Sequence, residues 1–443
     1  MDNQVFMDLL AAREYKAVRS ILNVMNAVDI AALLEDLNGA DLVRAFRLIP
    51  KDDAAEVFAN MSSNLQTALI ELFTEEELKD MLDDMYLDDT VDMLEDLPAN
   101  LVTKILTTVS ASRRQQINQL LNYPEDSAGS VMTTEYVSLK KTTTVADALR
   151  LIKHIGIHKE TIYTCYVLEN RRLIGIVTAK DLLTEDDEKT MEELMETELI
   201  TVTTHADKEA VGKLFAKYDL LALPVLDNDG MMVGIVTVDD AIDVIEEEAT
   251  EDIAKMNAIV PTEKTYLETS VFEHAKNRIV WLLILMISAT FTGMILTHYE
   301  NAFEAIPLLV AFIPMLMDTS GNCGSQASTL IIRGLALDQI HLRDVFRVIF
   351  KEFRVSFIVG LTLAIVNFVR IMIMYQDAVI ALVVSLSLLL TIMLAKLIGS
   401  MMPLLATRLH LDPALMASPL ITTIVDACSI TIFFAIATAI LLR

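Results

Sequence analysis

Cysteine is scarce in this 443-residue chain: Cys165, Cys323 and Cys428 stand far apart and form no ligand-spaced pair. A disulfide framework and a cysteine zinc site are thereby excluded. The chain opens MDNQVFMDLLAAREYK, with no basic segment leading into a long apolar run. No signal peptide is read, so the N-terminus is expected to stay in the cytosol. The seven histidines are scattered, and HExxH, P-loop and nucleophile–base patterns are missing. An enzyme is therefore the least supported class. Positive charge is thin in the N-terminal part: residues 1–274 hold 24 Lys and Arg against 53 Asp and Glu, a net charge of −29. That excludes a nucleic-acid partner, which needs a basic footprint. An acidic surface attracts cations or basic partners, or simply aids solubility.

The rest of the chain is almost neutral, at +2, and apolar. A membrane span needs about 20 mostly apolar residues. Residues 279–297, 355 to about 375, 378–405 and 413–442 meet this, and 305–317 is an apolar stretch that continues through DTSGNCGSQAST. Five spans are predicted. Lys276, Arg278, Arg333, Arg343, Arg347, Lys351, Arg354 and Arg408 fall on one side, whereas HYENAFEA and YQD on the other lack Lys and Arg. Positive charge marks the cytoplasmic face, so the acidic part is cytoplasmic and Arg443 is outside. Transport is the leading function class for such a domain.

Two features of this domain are costly in lipid. MDTSGNCGSQAST, residues 317–329, contains Asp318 and the poor helix formers Gly321 and Gly324. Irregular backbone at membrane depth survives only where it is buried or lines a water-filled path. Gly321 and Asn322 are thus candidate pore-lining residues, and a plain exit loop is the alternative. The second feature is Asp426, about 18 Å into the last span. A carboxylate there costs about 2.5–3.5 kcal/mol, and such groups usually face a cavity and mark an ion path. Ser418, Thr422 and Asp426 recur at four-residue spacing, giving one polar stripe. A neutral Asp bonded to a neighbouring helix is the alternative. One carboxylate suffices for Mg²⁺, which keeps several waters, and a two-fold dimer makes it two.

Residues 29–109 repeat with a period of 12. Apolar residues recur at three fixed offsets in seven units: Leu33/Leu34/Leu37, Ala45/Phe46/Ile49, Val57/Phe58/Met61, Leu69/Ile70/Phe73, Met81/Leu82/Met85, Met93/Leu94/Leu97 and Ile105/Leu106/Val109. Each unit reads as a short helix with an apolar stripe, and stacking gives a helical solenoid. Two βα-type units follow, their GIVT elements headed by Gly175 and Gly234. They resemble a tandem pair of CBS domains over most of 126–250. In that family a Thr-x-x-Asp after the GIV strand can hold a nucleotide ribose, which matches Thr178 and Asp181, and Thr237 and Asp240. DDAIDVIEEEATEDIAKM, residues 239–256, is an acidic helix leading to the membrane. Asp88, Asp89 and Asp92 sit on a repeat helix. If the two surfaces meet, a divalent cation can bridge their carboxylates, because hard oxygen ligands suit Mg²⁺ and Ca²⁺.

The whole chain resembles the MgtE family of Mg²⁺ channels. The most specific matches are YPEDSAGSVMTTEYV (123–137), GIVTVDDAIDVIEEEATEDI (234–253), PMLMDTSGNCGSQASTLIIRGLAL (314–337) and DPALMASPLITTIVD (412–426). The expected fold is a multidomain membrane protein. It has an all-α superhelical N domain (1–125), an α/β tandem CBS pair (126–250), a connecting plug helix (251–275) and an all-α five-span transmembrane domain (276–443). The resemblance implies a homodimer in the lipid of a bacterial plasma membrane, with Asp426 as the pore cation site and closure by cytosolic Mg²⁺. The sensor carboxylates it implies are Asp88 and Asp92, then Asp207, Glu209, Asp219, Asp240 and Asp243, then Glu248, Glu251 and Asp252 on the connecting helix. Mg²⁺ is the implied ion, and ATP a candidate ligand of the CBS pair. The sequence departs from the family at Ser418, where some relatives carry an amide, and at Ser320, where GGN reads SGN. Thr164 and Cys165 stand where an aromatic contact to adenine is expected. The competing reading is a CBS-regulated secondary carrier for Co²⁺, Ni²⁺, Mn²⁺ or another solute.

Overall fold

The computed structural model describes residues 3–262, 266–267, 269–299, 306–416 and 418–441, with the side chains of His158 and Ser418 outside that set. The chain divides into two compact units, Met1–Ile245 and Glu246–Arg443.

The first unit begins with ten short helices, α1 (Asn3–Ala11) to α10 (Ala111–Leu120). Helices start at residues 27, 39, 63, 75, 87, 99 and 111, so the 12-residue period is structural. α5 (Ala54–Ala59) starts late and is shortened. Of the 21 stripe residues, all but Leu106 are buried, and Leu106 packs against the same core. Burying a side chain of this size contributes about 1.5–3 kcal/mol, so the stripe holds together helices too short to be stable alone. Phe46, Phe58 and Phe73 come from successive repeats and pack edge-on or tilted with ring centroids 5.3–6.4 Å apart. Where one unit meets the next, capping fixes the start: the Thr74 side chain accepts from the Glu77 N–H, and the Glu77 carboxylate accepts from the Thr74 N–H.

Two three-stranded sheets follow. β1 (Val137–Leu139) pairs parallel with β2 (Thr164–Glu169), which pairs antiparallel with β3 (Arg172–Thr178). Helix α11 (Val145–Ile155) crosses from β1 to β2, and α12 (Ala179–Thr184) and α13 (Met191–Leu194) follow β3. The second sheet repeats the order, with β4 (Val202–Thr203), α14 (Lys208–Tyr218), β5 (Ala222–Leu226) and β6 (Met232–Thr237). The repeats exchange their leading segments: Thr133 pairs with Ile235 in the second sheet, and Glu196 with Ile176 in the first. That exchange explains the two GIVT glycines. A Cβ at Gly234 would lie 2.7 Å from the Thr133 carbonyl oxygen, and one at Gly175 2.6 Å from the Met195 sulfur. The helical repeat and the second sheet share one apolar core.

Helix α15 (Val238–Met256) starts in the first unit and ends in the second. Among the described residues, no single helix runs through 251–275. α15 stops at Met256, Ala258 takes a left-handed conformation with φ 56°, and Pro261 cannot extend the helix. The next helix is α16 (Val271–His298), followed by α17 (Ile313–Ala336), α18 (Val345–Tyr375), α19 (Ala378–Arg408) and α20 (Ser418–Leu441). Among the described residues, four helical segments are long and apolar enough to cross a membrane: Val271–His298, Leu342–Tyr375, Ala378–Arg408 and Pro413–Leu441. The second expected span is α17, 24 residues long, whose polar side chains keep it out of that group.

The expectation of irregular backbone at 317–329 is overturned, because α17 runs unbroken through it. Its small residues serve helix crossing. A Cβ at Gly324 would meet the Ile421 side chain at 2.9 Å and the Ala395 carbonyl at 3.2 Å. A Cβ at Gly399 would collide with the Gly324 carbonyl oxygen. Close backbone approach of this kind drives helix association in lipid, where the hydrophobic effect between helices is absent. Gly399→Ala should therefore cost about 1–3 kcal/mol by overpacking and lower the thermal midpoint of the detergent-solubilised protein. Gly293→Ala on α16, where an added methyl meets nothing within 4 Å, should leave the midpoint unchanged or raise it.

Candidate functional site

Two clusters of polar groups stand where the fold could have placed apolar ones. The first is in the membrane helices. α17 turns Cys323, Gly324, Ala327 and Ser328 inward, whereas Asp318, Asn322 and Gln326, spaced four apart, are exposed along its other side. The Asn322 amide donates to the Asp318 carboxylate at 3.3 Å. α20 brings Asp426 and Thr422 against Gly321: an added Cβ there would be 3.9 Å from Asp426 Oδ1 and 3.1 Å from Thr422 Cγ2. The missing side chain at Gly321 thus leaves room beside the Asp426 carboxylate. Ser320 and Ser429, both buried, share a hydroxyl hydrogen bond of 2.8 Å that ties α17 to α20. Asp426, Thr422, Gly321 and Asn322 are therefore neighbours, joined by Asp318. The Ser418 side chain lies outside the described residues. Ser320 and Ser429 were not recognisable as a pair, since 109 residues separate them.

The second cluster is in the first unit. Asp88, on α8 (Leu87–Asp96), is buried, and Asp89 beside it is half-buried. Burial raises both carboxyls above their usual range, Asp89 to about 6. Neighbouring charges raise them further: Asp240, Glu160 and Asp89 act on Asp88, while Asp239, Glu135 and Glu56 act on Asp89. Glu160 and Asp240 are raised in the same way, by burial first and repulsion second. Thr237 opposes this at Asp240, its hydroxyl donating to the carboxylate at 2.6 Å. One oxygen of Glu160 is buried without a hydrogen-bond partner among the described residues. The acidic surfaces that carry Asp88 and Asp240 do meet. Glu135 and Glu160 were not expected. A backbone hydrogen bond of 3.0 Å joins them in the loops around β1, a proximity that periodicity does not reveal. Among the described residues, no three acidic, His or Cys side chains are placed to hold a metal ion in this arrangement.

The remaining expected carboxylates are elsewhere. Asp92 and Asp243 are exposed on α8 and α15. Asp207 caps α14, accepting from the Glu209 N–H, and Glu209 pairs with Lys213 at 2.8 Å. Asp219 closes α14 with φ 52°. Glu248, Glu251 and Asp252 line the end of α15. Lys255 pairs with Glu251 at 2.7 Å and with Asp412 at 2.8 Å, fastening that end to the loop before α20. Burial opposes the Lys255 charge, and the two carboxylates outweigh it and raise its pKa.

At the first CBS unit, Thr178 and Asp181 form a capping box. The Thr178 N–H and hydroxyl both donate to Asp181 Oδ2, at 2.9 and 2.6 Å, which leaves Oδ1 as an acceptor. Thr164 and Cys165 are on β2, with Cys165 buried. An aromatic ring is nevertheless at hand: Tyr163 is 65% exposed, and its carbonyl accepts from Ala179 next to Thr178.

Comparison with known proteins gives the family. Residues 313–436 match the divalent cation transporter family MgtE, residues 25–126 the MgtE intracellular N domain, and residues 128–188 and 191–247 the CBS domain. The chain is 36% identical over 437 residues to the magnesium transporter MgtE of Thermus thermophilus, covering 97% of this chain and 96% of that one. This chain belongs to the MgtE family of magnesium transporters. It is also 31% identical to the Bacillus subtilis MgtE over 97% of its length and 95% of that protein's. The crystal structure of the cytosolic domain of the Mg²⁺ channel MgtE in complex with ATP matches 55% of this chain and 99% of that one, with TM-score 0.52 and 33% identity. A crystal structure of the soluble part of a magnesium transporter covers 56% of this MgtE chain and 98% of that one, with TM-score 0.52 and 29% identity.

The acid cluster makes metal-free stability depend on pH. Unfolded carboxyls titrate near 4, whereas in the folded unit they keep protons to higher pH. The folded state then binds more protons, so this contribution is full below pH 4 and is lost as pH rises through the raised values. A fragment ending at Met256, held in EDTA, should melt on the order of 5 °C lower at pH 8 than at pH 5.5. Added Mg²⁺ should restore most of the loss at pH 8. Asp88→Asn with Asp240→Asn should flatten the profile, and an unchanged slope in that variant would remove the cluster as its cause.

Proposed function

We propose that this chain carries Mg²⁺ across a bacterial plasma membrane through a path gated by cytosolic Mg²⁺. The observation that supports it most directly is Asp426 beside the bare backbone of Gly321, with Asn322 next in the chain and Asp318 one helix turn before it. Hard oxygen groups around a polar path suit a cation that keeps its water. In a homodimer, two Asp426 carboxylates would face one another, and hydration water would mediate most contacts. The N-terminus is cytosolic in this reading, α17 completes five spans, and the C-terminus is outside.

The first unit supplies the sensor. Asp88, Asp89, Glu160 and Asp240 repel one another, so without cation the contact between the helical repeat and the CBS pair is weakened. Bound Mg²⁺ offsets that repulsion and favours the compact state, which is a population shift driven by differential binding. Asp240 starts α15, and Lys255 ends it at Asp412, just before the helix that carries Asp426. α15 thus belongs in part to each unit by chain continuity. Glu248, Glu251 and Asp252 near its end are further candidate ligands.

The decisive experiment is Mg²⁺ uptake into proteoliposomes. Asp426→Ala should reduce the flux at least tenfold, because the approaching ion loses its charge partner. Undiminished flux would remove Asp426 from the path. At the CBS pair, the residues fit a nucleoside. Tyr163 offers an exposed ring for a base, and Asp181 Oδ1 an acceptor for a ribose hydroxyl. ATP binding by the full chain, measured by equilibrium dialysis, should weaken about tenfold in both Asp181→Ala and Tyr163→Ala. Unchanged affinity in both would place any nucleotide elsewhere.

A further inference from the structure

Lys396 lies within α19, an otherwise apolar span, and is only 5% exposed. It makes no hydrogen bond or ion pair with any described residue. Glu352, the other buried charged side chain of the membrane helices, is not within ion-pair distance of it among the described residues. An ammonium held out of water without a counter-charge is expensive, and buried charges are normally paired. In membrane segments such groups face a polar cavity and mark a functional site.

Lys396 does face one. It lines a cavity of about 760 Å³ together with Asn257, Asn322, Ser325, Gln326 and Thr329, and Met256 and Leu330 complete the wall. The chemistry of the lining is one-sided. Among the described residues, its charge is a single ammonium, its polar groups are amides and hydroxyls, and it contains no carboxylate, although the chain has 62 acidic residues. A cation site would need acceptors of negative charge there. The donors suit the opposite ligand. The Asn322 and Asn257 amides each spend one N–H on a neighbour, at Asp318 and the Ile253 carbonyl, and each keeps a second. The Gln326 amide and the Thr329 hydroxyl are exposed on the same stretch of α17.

We infer that this cavity is an oxyanion site, in which Lys396 neutralises a phosphate-class group held by the amide and hydroxyl donors. Charge-assisted hydrogen bonds to such a group are about twice as strong as neutral ones. Free phosphate and the phosphate of a lipid headgroup present the same chemistry to these donors. The inference is independent of which ion crosses the membrane, since its test reads binding and not flux.

The test uses the full-length protein in nanodiscs of phosphatidylcholine, in EDTA, with inorganic phosphate titrated against chloride at equal ionic strength. Phosphate should raise the thermal midpoint of the wild-type protein, with an apparent affinity that falls at least about tenfold in Lys396→Met and is largely kept in Lys396→Arg. Gln326→Ala, on the exposed side of α17, should fold normally and weaken binding about threefold to fivefold. In nanodiscs containing phosphatidylglycerol, a lipid-filled cavity would abolish the response of the wild type to free phosphate, and Lys396→Met would retain less of that lipid on purification. Persistence of the phosphate response there would assign the site to the free ion. A wild type that responds neither to phosphate nor to anionic lipid overturns the inference. So does a Lys396→Met protein that responds to phosphate like wild type.

Discussion

Carboxylate repulsion in the first unit is the constraint on which the rest turns. Asp88, Asp89, Glu160 and Asp240 sit in a region that burial has stripped of water, and each raises the proton affinity of the others. The apolar stripe of the repeat and the shared core with the second sheet hold them there regardless. The compact state therefore carries a built-in electrostatic penalty. Protons or a divalent cation relieve it, whereas a monovalent cation has half the charge to offer. Burial makes the relief large, since the same charges at the surface would be screened by salt within about 8–10 Å. Removing Asp88 would relieve part of that repulsion permanently.

The membrane helices show the opposite economy, in which space is made by leaving side chains out. Gly324 and Gly399 let α17 and α19 touch through their backbones, and Gly321 opens the room beside Asp426. Ser320 and Ser429 then satisfy each other inside the packing, as buried hydroxyls must. A helix of this composition is poorly stable by propensity, and contacts to its neighbours on α19 and α20 decide its conformation.

That is also why α17 was misread. Asp318, Ser320, Gly321 and Gly324 argue for irregular backbone when only local preference is weighed, and tertiary packing overrides it. The helical repeat was legible because a stripe of three offsets, repeated seven times, leaves little room for another fold. The CBS order was legible from its two GIVT elements, but the exchange of Thr133 and Glu196 between sheets has no periodic signature. Asp88 and Asp240 could be paired because both stand in acidic runs. Glu135 and Glu160 could not, because single acids in loops become neighbours only through the fold. Lys396 is one charge within a long span of the sequence, and only the cavity gives it a meaning.

The order of charges along the membrane domain links these parts. Passing along α17 from Asp318, the path leaves the carboxylates of Asp318 and Asp426, crosses the neutral amides of Asn322 and Gln326, and reaches the ammonium of Lys396. A divalent cation gains at the first level and is opposed at the last, at low dielectric, where a unit charge acts far more strongly than in water. A bare Lys396 would therefore hold the ion at Asp426. An oxyanion on Lys396 cancels the opposing charge and lets the next ion draw the first onward. On the function proposed above, the acid cluster would report the cation already in the cytosol, and the occupancy of the Lys396 cavity would set, independently, how readily another one leaves Asp426.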